Sequence, residues 1–290
     1  MSTLIENVEK VTAAHAALKE AIAAKGVNVP DGAKLTDMPA LVGQISTEPV
    51  PTNQRAVFTY GTETTIVVPK MMVVDMTATD NLKYFFYGCN KLQSLTLPDG
   101  FGSSATNIDS CFKGCSSLAS IDLSSGFGQF ATNINDCFRG CFDLKHLTLP
   151  DGFGQNAEYS ESCFFDCKSL TSLTLPDGFG QASKDVNHCF RYCKSLTSLT
   201  LPDGFGQKAY TTELCFDGCS ALTTITGNPN FKVSISLSYS PKLTHDSLMV
   251  VINGLQTVTT TQTLTLGSTN LAKLTDDEKK VATDKGWTLA

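Results

Sequence analysis

The sequence predicts an α/β solenoid with a parallel β-sheet, flanked by an N-terminal α-helical hairpin and a C-terminal βαβα cap. Three observations predict it. Aligned against itself at an offset of 26, the chain brings all 11 cysteines into two columns, Cys111, Cys137, Cys163, Cys189, Cys215 and Cys89, Cys115, Cys141, Cys167, Cys193, Cys219. Phenylalanines (Phe86 to Phe216 and Phe101 to Phe231) and leucine-type positions (Leu92 to Leu222 and Leu95 to Ile225) keep the same period through six copies, which is the mark of a stacked array. Within each copy, as in CFRYCKSLTSLTLPDGFGQ from Cys189 to Gln207, the apolar spacing changes from i, i+3, i+4 to i, i+2. A short helical turn thus hands over to a short strand, S-L-T-L, which Pro-Asp-Gly ends. One copy cannot bury its Phe, Leu and Cys side chains, whereas stacked copies bury them in a continuous core with strands about 4.8 Å apart.

Residues 1–45 read as a helical segment. In TLIENVEKVTAAHAALKEAIAAK (3–25), Leu4, Val8, Val11, His15, Leu18 and Ile22 fall on alternating spacings of four and three, a heptad-like stripe that ends at Gly26. A second helix after Thr36 carries Met38, Leu41, Val42 and Ile45. The two helices form a small hairpin, or the first joins copies of itself in a short coiled coil, making a homo-oligomer through residues 3–25. STEPVPTNQ (46–54) reads as a linker, and the apolar segment at 55–80 as a β-rich N-terminal cap over the open end of the first repeat. The repeats occupy 81–231, and 232–290 is a C-terminal strand-helix cap. There VSISLSYS alternates as a strand, THDSLMVVIN is a helix closed by Gly254, and QTLTLG is a strand. TDDEKKVATDKG is a helix with a Thr275 to Glu278 capping box and Gly286 as its stop.

The 290 residues are 41% hydrophobic and 17% charged, ordinary for a folded chain. A net charge of -6 with no basic block removes the long-range field that gathers phosphate backbones, so nucleic acid is not an expected partner. The longest apolar runs, such as LMVVI at 248–252, fall far short of the roughly 20 residues that cross a bilayer, so the chain is not expected to span a membrane. The first residues, MSTLIENVEK, contain two acidic groups and no apolar core of a secretory signal.

The pattern F-x-x-C-x-x-L-x-x-L-x-L-P, as in FRYCKSLTSLTLP, resembles the BspA-like class of leucine-rich repeats over residues 66–231. The resemblance implies a leucine-rich repeat right-handed superhelix, and a role in adhesion and ligand binding outside the cell or at its surface. The 26-residue unit is longer than the usual one of that class because of its D-G-F-G-Q insertion, which leaves the curvature of the family open for this chain. VPDGAKLTDMPALVGQI near the N-terminus and TLTLGSTNLAKLTDDEKKVATDKGW near the C-terminus are similar to segments that accompany such repeats in prophage tail-associated and surface proteins of gut bacteria. That similarity offers a second route to a cell surface, cytoplasmic synthesis followed by release with a virion.

The paired cysteines admit three readings: inert buried thiols, disulfides within a repeat, or ligands to zinc. Phe85 takes the upstream cysteine position in the first copy, which marks that position as an apolar slot and favours inert thiols, because cysteine buries as a small hydrophobe. Structural zinc sites use isolated knuckles rather than identical neighbours. His15, His146, His188 and His245 are scattered, with no nucleophile or carboxylate at triad spacing and no phosphate-cradling loop, so no catalytic residue, metal or cofactor is assigned and the chain is not read as an enzyme. The DGFG glycines are expected to supply positive φ after the strand. Asp99, Asp151, Asp177 and Asp203 raise a calcium reading, but one carboxylate per copy is too few.

The strand residues on either side of the core leucines are expected on the exposed face of the sheet. The candidate ligand-binding positions are Thr96, Asp122, His146, Thr148, Ser172, Thr174, Ser198 and Thr200, with Asp122 and His146 breaking otherwise uniform hydroxyl columns. Such a ladder hydrogen-bonds sugars or a partner backbone, or is plain solvated β-surface, since threonine suits strands in any case. Two functions follow as expectations: an interaction protein that binds protein or glycan ligands at a cell surface as an adhesin or receptor-binding protein, and a structural, phage tail-associated component assembled through its N-terminal helices. An ice-binding threonine array is a third, disfavoured because serine rather than threonine fills much of one file.

Overall fold

The computed structural model describes residues 81–290, the strand Thr65–Val67 and the single helical residue Glu20. The chain divides into two units, Met1–Thr52 and Asn53–Ala290, and the second contains the repeats. Apart from Glu20, the predicted helix at 3–25 with His15, the one after Thr36, the linker at 46–54 and all of 55–80 except that strand lie outside the described residues.

Each coil contributes one strand of three or four residues: β1 (Thr65–Val67), β2 (Ser94–Thr96), β3 (Ser120–Asp122), β4 (His146–Thr148), β5 (Ser172–Thr174), β6 (Ser198–Leu201) and β7 (Thr224–Gly227). Every pairing is parallel, and Ser120 pairs with His146, Ser172 with Ser198 and Ser198 with Thr224, the register that the sequence period demands. The strands do not form one continuous sheet. β1 pairs with β2, β3 with β4, and β5-β6-β7 form a third sheet. Continuity at the breaks is unnecessary because coils are also joined elsewhere: Thr171 N–H donates to Lys145 O at 3.4 Å beside the β4/β5 break, and a separate line of parallel bridges runs Asn81, Asn107, Asn133, Tyr159, Asp185, Thr211.

The C-F-x-x-C segment is not the helical turn its spacing predicts. It is two consecutive β-turns: Cys111 N–H donates to Ile108 O at 3.1 Å and Cys115 N–H to Phe112 O at 3.1 Å. Ser110 (φ 56°) and Gly114 (φ 79°) supply the positive φ required at the third residue of a type II turn. The intervening amides point to the next coil, Ser110 N–H to Asn135 O at 2.8 Å, Phe112 N–H to Cys137 O at 2.8 Å and Gly114 N–H to Arg139 O at 2.7 Å. A helix would spend those donors inside its own coil, whereas the turns spend every second one on stacking. The helical part of the α/β class is therefore confined, within the described residues of this unit, to the C-terminal segment.

Two files of phenylalanine run through the core. Phe86, Phe112, Phe138, Phe164, Phe190 and Phe216 stack at 5.2 to 5.7 Å between ring centroids, and Phe101, Phe127, Phe153, Phe179 and Phe205 at 6.0 to 6.3 Å. All are fully buried. Parallel-offset pairs of this kind contribute about 0.5–1.5 kcal/mol each beyond area burial. The second glycine of the G-F-G segment makes room for them: at Gly128 (φ 72°) an added Cβ would stand 2.9 Å from Phe153 Cδ2.

Beyond Phe231 the elements are β8 (Ile235–Ser236), α1 (His245–Asn253), β9 (Gln262–Thr265), α2 (Gly267–Leu271), α3 (Asp276–Asp284) and β10 (Trp287–Leu289). β8, β9 and β10 form a parallel sheet in the order β10-β9-β8. Thr244 caps α1 and Gly254 follows it, and the Thr275–Glu278 capping box opens α3. The short α2 and the closing β10 have no counterpart in the sequence reading, which ended the chain on a helix. Among the described residues no helix is long and apolar enough to cross a membrane.

Candidate functional site

The strands β2 to β5 share one pattern, exposed, buried, exposed: the core Leu or Ile points inward and the residues on either side point out. Thr96, Asp122, His146, Thr148, Ser172 and Thr174 are exposed, while Ser198 and Thr200 on β6 are half-buried. Ser120 pairs with His146 and Asp122 with Thr148, so the two residues that break the hydroxyl columns lie diagonally on neighbouring strands. Thr200 shares a hydroxyl hydrogen bond of 3.0 Å with Thr226. Just before the strands, Thr197 Oγ1 donates to Thr171 O at 2.9 Å and Thr223 Oγ1 to Thr197 O at 3.0 Å, so some threonines on this side serve the stack itself.

No disulfide joins any of the 11 cysteines, and all are buried. In the downstream column the thiols from Cys115 to Cys219 donate to a phenylalanine carbonyl of the preceding coil: Cys115 to Phe86 O at 3.2 Å, Cys141 to Phe112 O at 3.3 Å, Cys167 to Phe138 O at 3.2 Å, Cys193 to Phe164 O at 3.1 Å and Cys219 to Phe190 O at 3.1 Å. Burial pushes the Cys141 and Cys219 thiols up to about 12, against the lowering by the Cys115 and Cys193 backbones. The same desolvation raises Cys163, Cys167, Cys189 and Cys193. These groups stay protonated, and a thiolate is what metal binding or nucleophilic attack needs. Among the described residues no three His, Cys, Asp or Glu side chains converge on a point where a metal ion could sit. Asp99, Asp151, Asp177 and Asp203 are exposed, one per coil.

Among the described residues the histidines do not converge either. His188 Nδ1 lies 4.0 Å from Glu161 Oε1 in the repeats, and His245 Nε2 lies 2.8 Å from Glu278 Oε1 in the C-terminal segment. The hydrogen bond that His245 donates to Glu278, then that to Asp246, raises the imidazole above its ordinary value, and the bonds that Glu278 accepts from the Thr275 backbone amide, then from His245, lower the carboxyl.

Sequence reasoning missed a second exposed region, on the turns. Tyr87, Lys113, Arg139, Phe165 and Arg191 occupy one column of it. Lys113 Nζ lies 2.6 Å from Asp136 Oδ2, Arg139 Nη1 3.1 Å from Asp136 Oδ1, and Arg191 Nε 2.8 Å from Asp217 Oδ2. Arg139 stacks 4.4 Å from the Phe165 ring centroid and Lys168 lies 4.0 Å over Phe142. The available signal was that these columns change from copy to copy while the core columns do not.

A stack of parallel-stranded coils with a sealed core and two exposed faces is a leucine-rich solenoid. The chain belongs to the BspA-type leucine-rich repeat family: residues 77–188 and 133–241, together more than half of its length, match the family's repeat region in six copies. It is similar to a leucine-rich repeat protein of T. pallidum, TpLRR, at 22% identity and a TM-score of 0.49, over 67% of this chain and 84% of that one. It is similar to a leucine-rich repeat protein from Bacteroides ovatus at 16% identity and a TM-score of 0.21, over 78% of this chain and 84% of that one. No curated protein matches it.

Proposed function

We propose that this chain is a non-enzymatic interaction protein that presents its strand face to protein or glycan ligands at a cell surface, as an adhesin or receptor-binding protein. Membership of a leucine-rich repeat family supports an interaction role. The observation that carries the proposal is the outward pair of residues on each of β2 to β5, exposed in coil after coil. Thr96, Thr148, Ser172, Thr174, Ser198 and Thr200 offer hydroxyls as both donors and acceptors. Asp122 and His146 add the one acidic and one imidazole group that distinguish a position along the ladder. Burial keeps the thiols out of reach, which supports a scaffold role for the C-F-x-x-C motif.

Fluorescently labelled chain is expected to bind intact bacterial or epithelial cells, and the Thr148→Arg, Thr174→Arg variant to lose that binding while keeping its circular dichroism spectrum. Equal binding by the folded variant would remove the strand face from the interaction. A second reading, a tail-associated structural component, rests on the heptad-like stripe at residues 3–25. It predicts a defined oligomer in sedimentation that deletion of residues 1–45 converts to monomer.

A further inference from the structure

Two columns of the turn face, those of Lys113 and Lys168, place cations in four successive coils: Lys113, Arg139, Lys168, then Arg191 and Lys194. The one carboxylate in those two columns of the repeats, Asp217, is buried. Ion pairing does not cancel what a partner would meet, because in each pair the cation is the more exposed member. Lys113 and Arg139 share Asp136, whose side chain is 20% exposed against 28% and 40% for theirs, and that sharing leaves a surplus of positive charge. Lys168 is 44% exposed against 18% for Asp166, and Arg191 24% against 11% for Asp217. Phe142 beneath Lys168 and Phe165 beneath Arg139 hold two of these cations in place, with N–H donors left open outward. The exposed acids Asp143, Glu161 and Glu213 fall in other columns.

The step between coils selects the shape of an acidic partner. The phenylalanine file from Phe86 to Phe216 directly precedes the column of Lys113 in sequence, and its rings repeat every 5.2 to 5.7 Å. One turn of α-helix rises about 5.4 Å, so a helix laid along the stack offers one side chain to each coil and stays in step. An extended strand repeats its same-face side chains only every 6.6 Å or so, and slips by about 1 Å at each coil. The neighbouring column gives a helix room to approach. Gly88, Gly114 and Gly140 follow Tyr87, Lys113 and Arg139 in sequence, and a Cβ added to Gly114 would find only Gly88 backbone atoms, at 3.5 and 3.6 Å.

We infer that the turn face from Lys113 to Lys194 docks a partner protein's α-helix through an acidic stripe laid along the solenoid axis. It is separate from the strand face, and either surface can fail as a binding site without the other. The probes are two labelled peptides of about 20 residues, long enough to hold a helix, with the same alanine, glutamine and glutamate content. One carries its glutamates at i, i+4, i+7 and i+11, and the other spreads them around the helix. Fluorescence anisotropy on the full chain is expected to show the striped peptide binding at least tenfold more tightly, and weakening as salt rises from about 50 to 300 mM. Lys113→Gln, Lys168→Gln is expected to weaken it about tenfold with the circular dichroism spectrum intact. Asp136→Asn removes a sunken carboxylate and is expected to tighten it about twofold or more, whereas loss of a merely structural group would not. Thr148→Arg, Thr174→Arg on the strand face is expected to leave it unchanged. No binding of the striped peptide at about 1 mM would overturn the inference, as would affinities of the two peptides within about twofold of each other. A folded Lys113→Gln, Lys168→Gln variant that binds as wild type does would overturn it too. If that variant does not fold, unchanged or weaker binding by Asp136→Asn overturns it instead. Binding to phosphatidylglycerol vesicles with neither peptide bound would assign the face to a membrane and overturn it equally.

Discussion

The strand face and the turn face are two sides of the same six coils, yet their copies differ unequally. On the strands, the column from Ser94 to Thr224 is a hydroxyl in five of six copies, broken only by His146. On the turns, the column from Tyr87 to Asp217 runs through tyrosine, lysine, arginine, phenylalanine, arginine and aspartate. Both faces satisfy their backbones by the same means, ladders to the neighbouring coil. Backbone demands therefore do not explain the difference. A surface of near-identical steps can meet an extended or repetitive ligand at many registers, while a surface whose steps differ can hold a partner at one register.

The comparison requires the faces to be dispensable to folding and the files beneath them not to be. The largest expected effect is at Phe138, stacked on both sides at 5.2 and 5.7 Å: Phe138→Ala should cost about 3–5 kcal/mol in urea denaturation. Thr148→Ala should stay within about 0.5 kcal/mol in the same measurement, and a comparable loss there would break the division. Gly128→Ala comes next, at about 1–3 kcal/mol, because its φ of 72° and the Phe153 ring both oppose a side chain. At pH 8 the native chain should not react with Ellman's reagent, since burial holds Cys141 and Cys219 up to about 12, and all thiols should react once denaturant unfolds it. Fast reaction of a native pair would return the cysteines to function.

The smallest effect concerns pH. His245 titrates above its ordinary 6.5, so its contribution to stability is fully present below that value and lost as pH rises through the raised one. Glu278 titrates below its ordinary 4.5, so its contribution is present above that value and lost as pH falls through the lowered one. The pair stabilises the C-terminal segment most between 4.5 and 6.5. Thermal melts should show a shallow decline above that window which Glu278→Gln flattens.

The core was legible because each of its columns repeats every 26 residues and burial selects the same residue each time. Phe112, Phe127, Leu118 and Ile121 are all buried as their columns require. The capping box at Thr275 and the positive φ of the DGFG glycines were legible for local reasons, a short motif and a stereochemical need. The helical turn was misread because two consecutive β-turns also space apolar residues by three and four. The residues bearing the positive φ of the first turn, among them Ser110, Asp136, His188 and Leu214, include no glycine to announce it. The cation-aromatic pairs of the turn face were hidden for another reason: Arg139 and Phe165, or Phe142 and Lys168, meet only when coils stack, and no single copy contains either pair.

The measurement that tests the division between scaffold and recognition most directly is the melting temperature of Thr148→Arg, Thr174→Arg, taken beside its binding to the cells that wild type recognises. The account predicts a melting temperature within about 2 °C of wild type and binding lost. A folded variant that still binds, or one that loses binding only because it melts far lower, would contradict it.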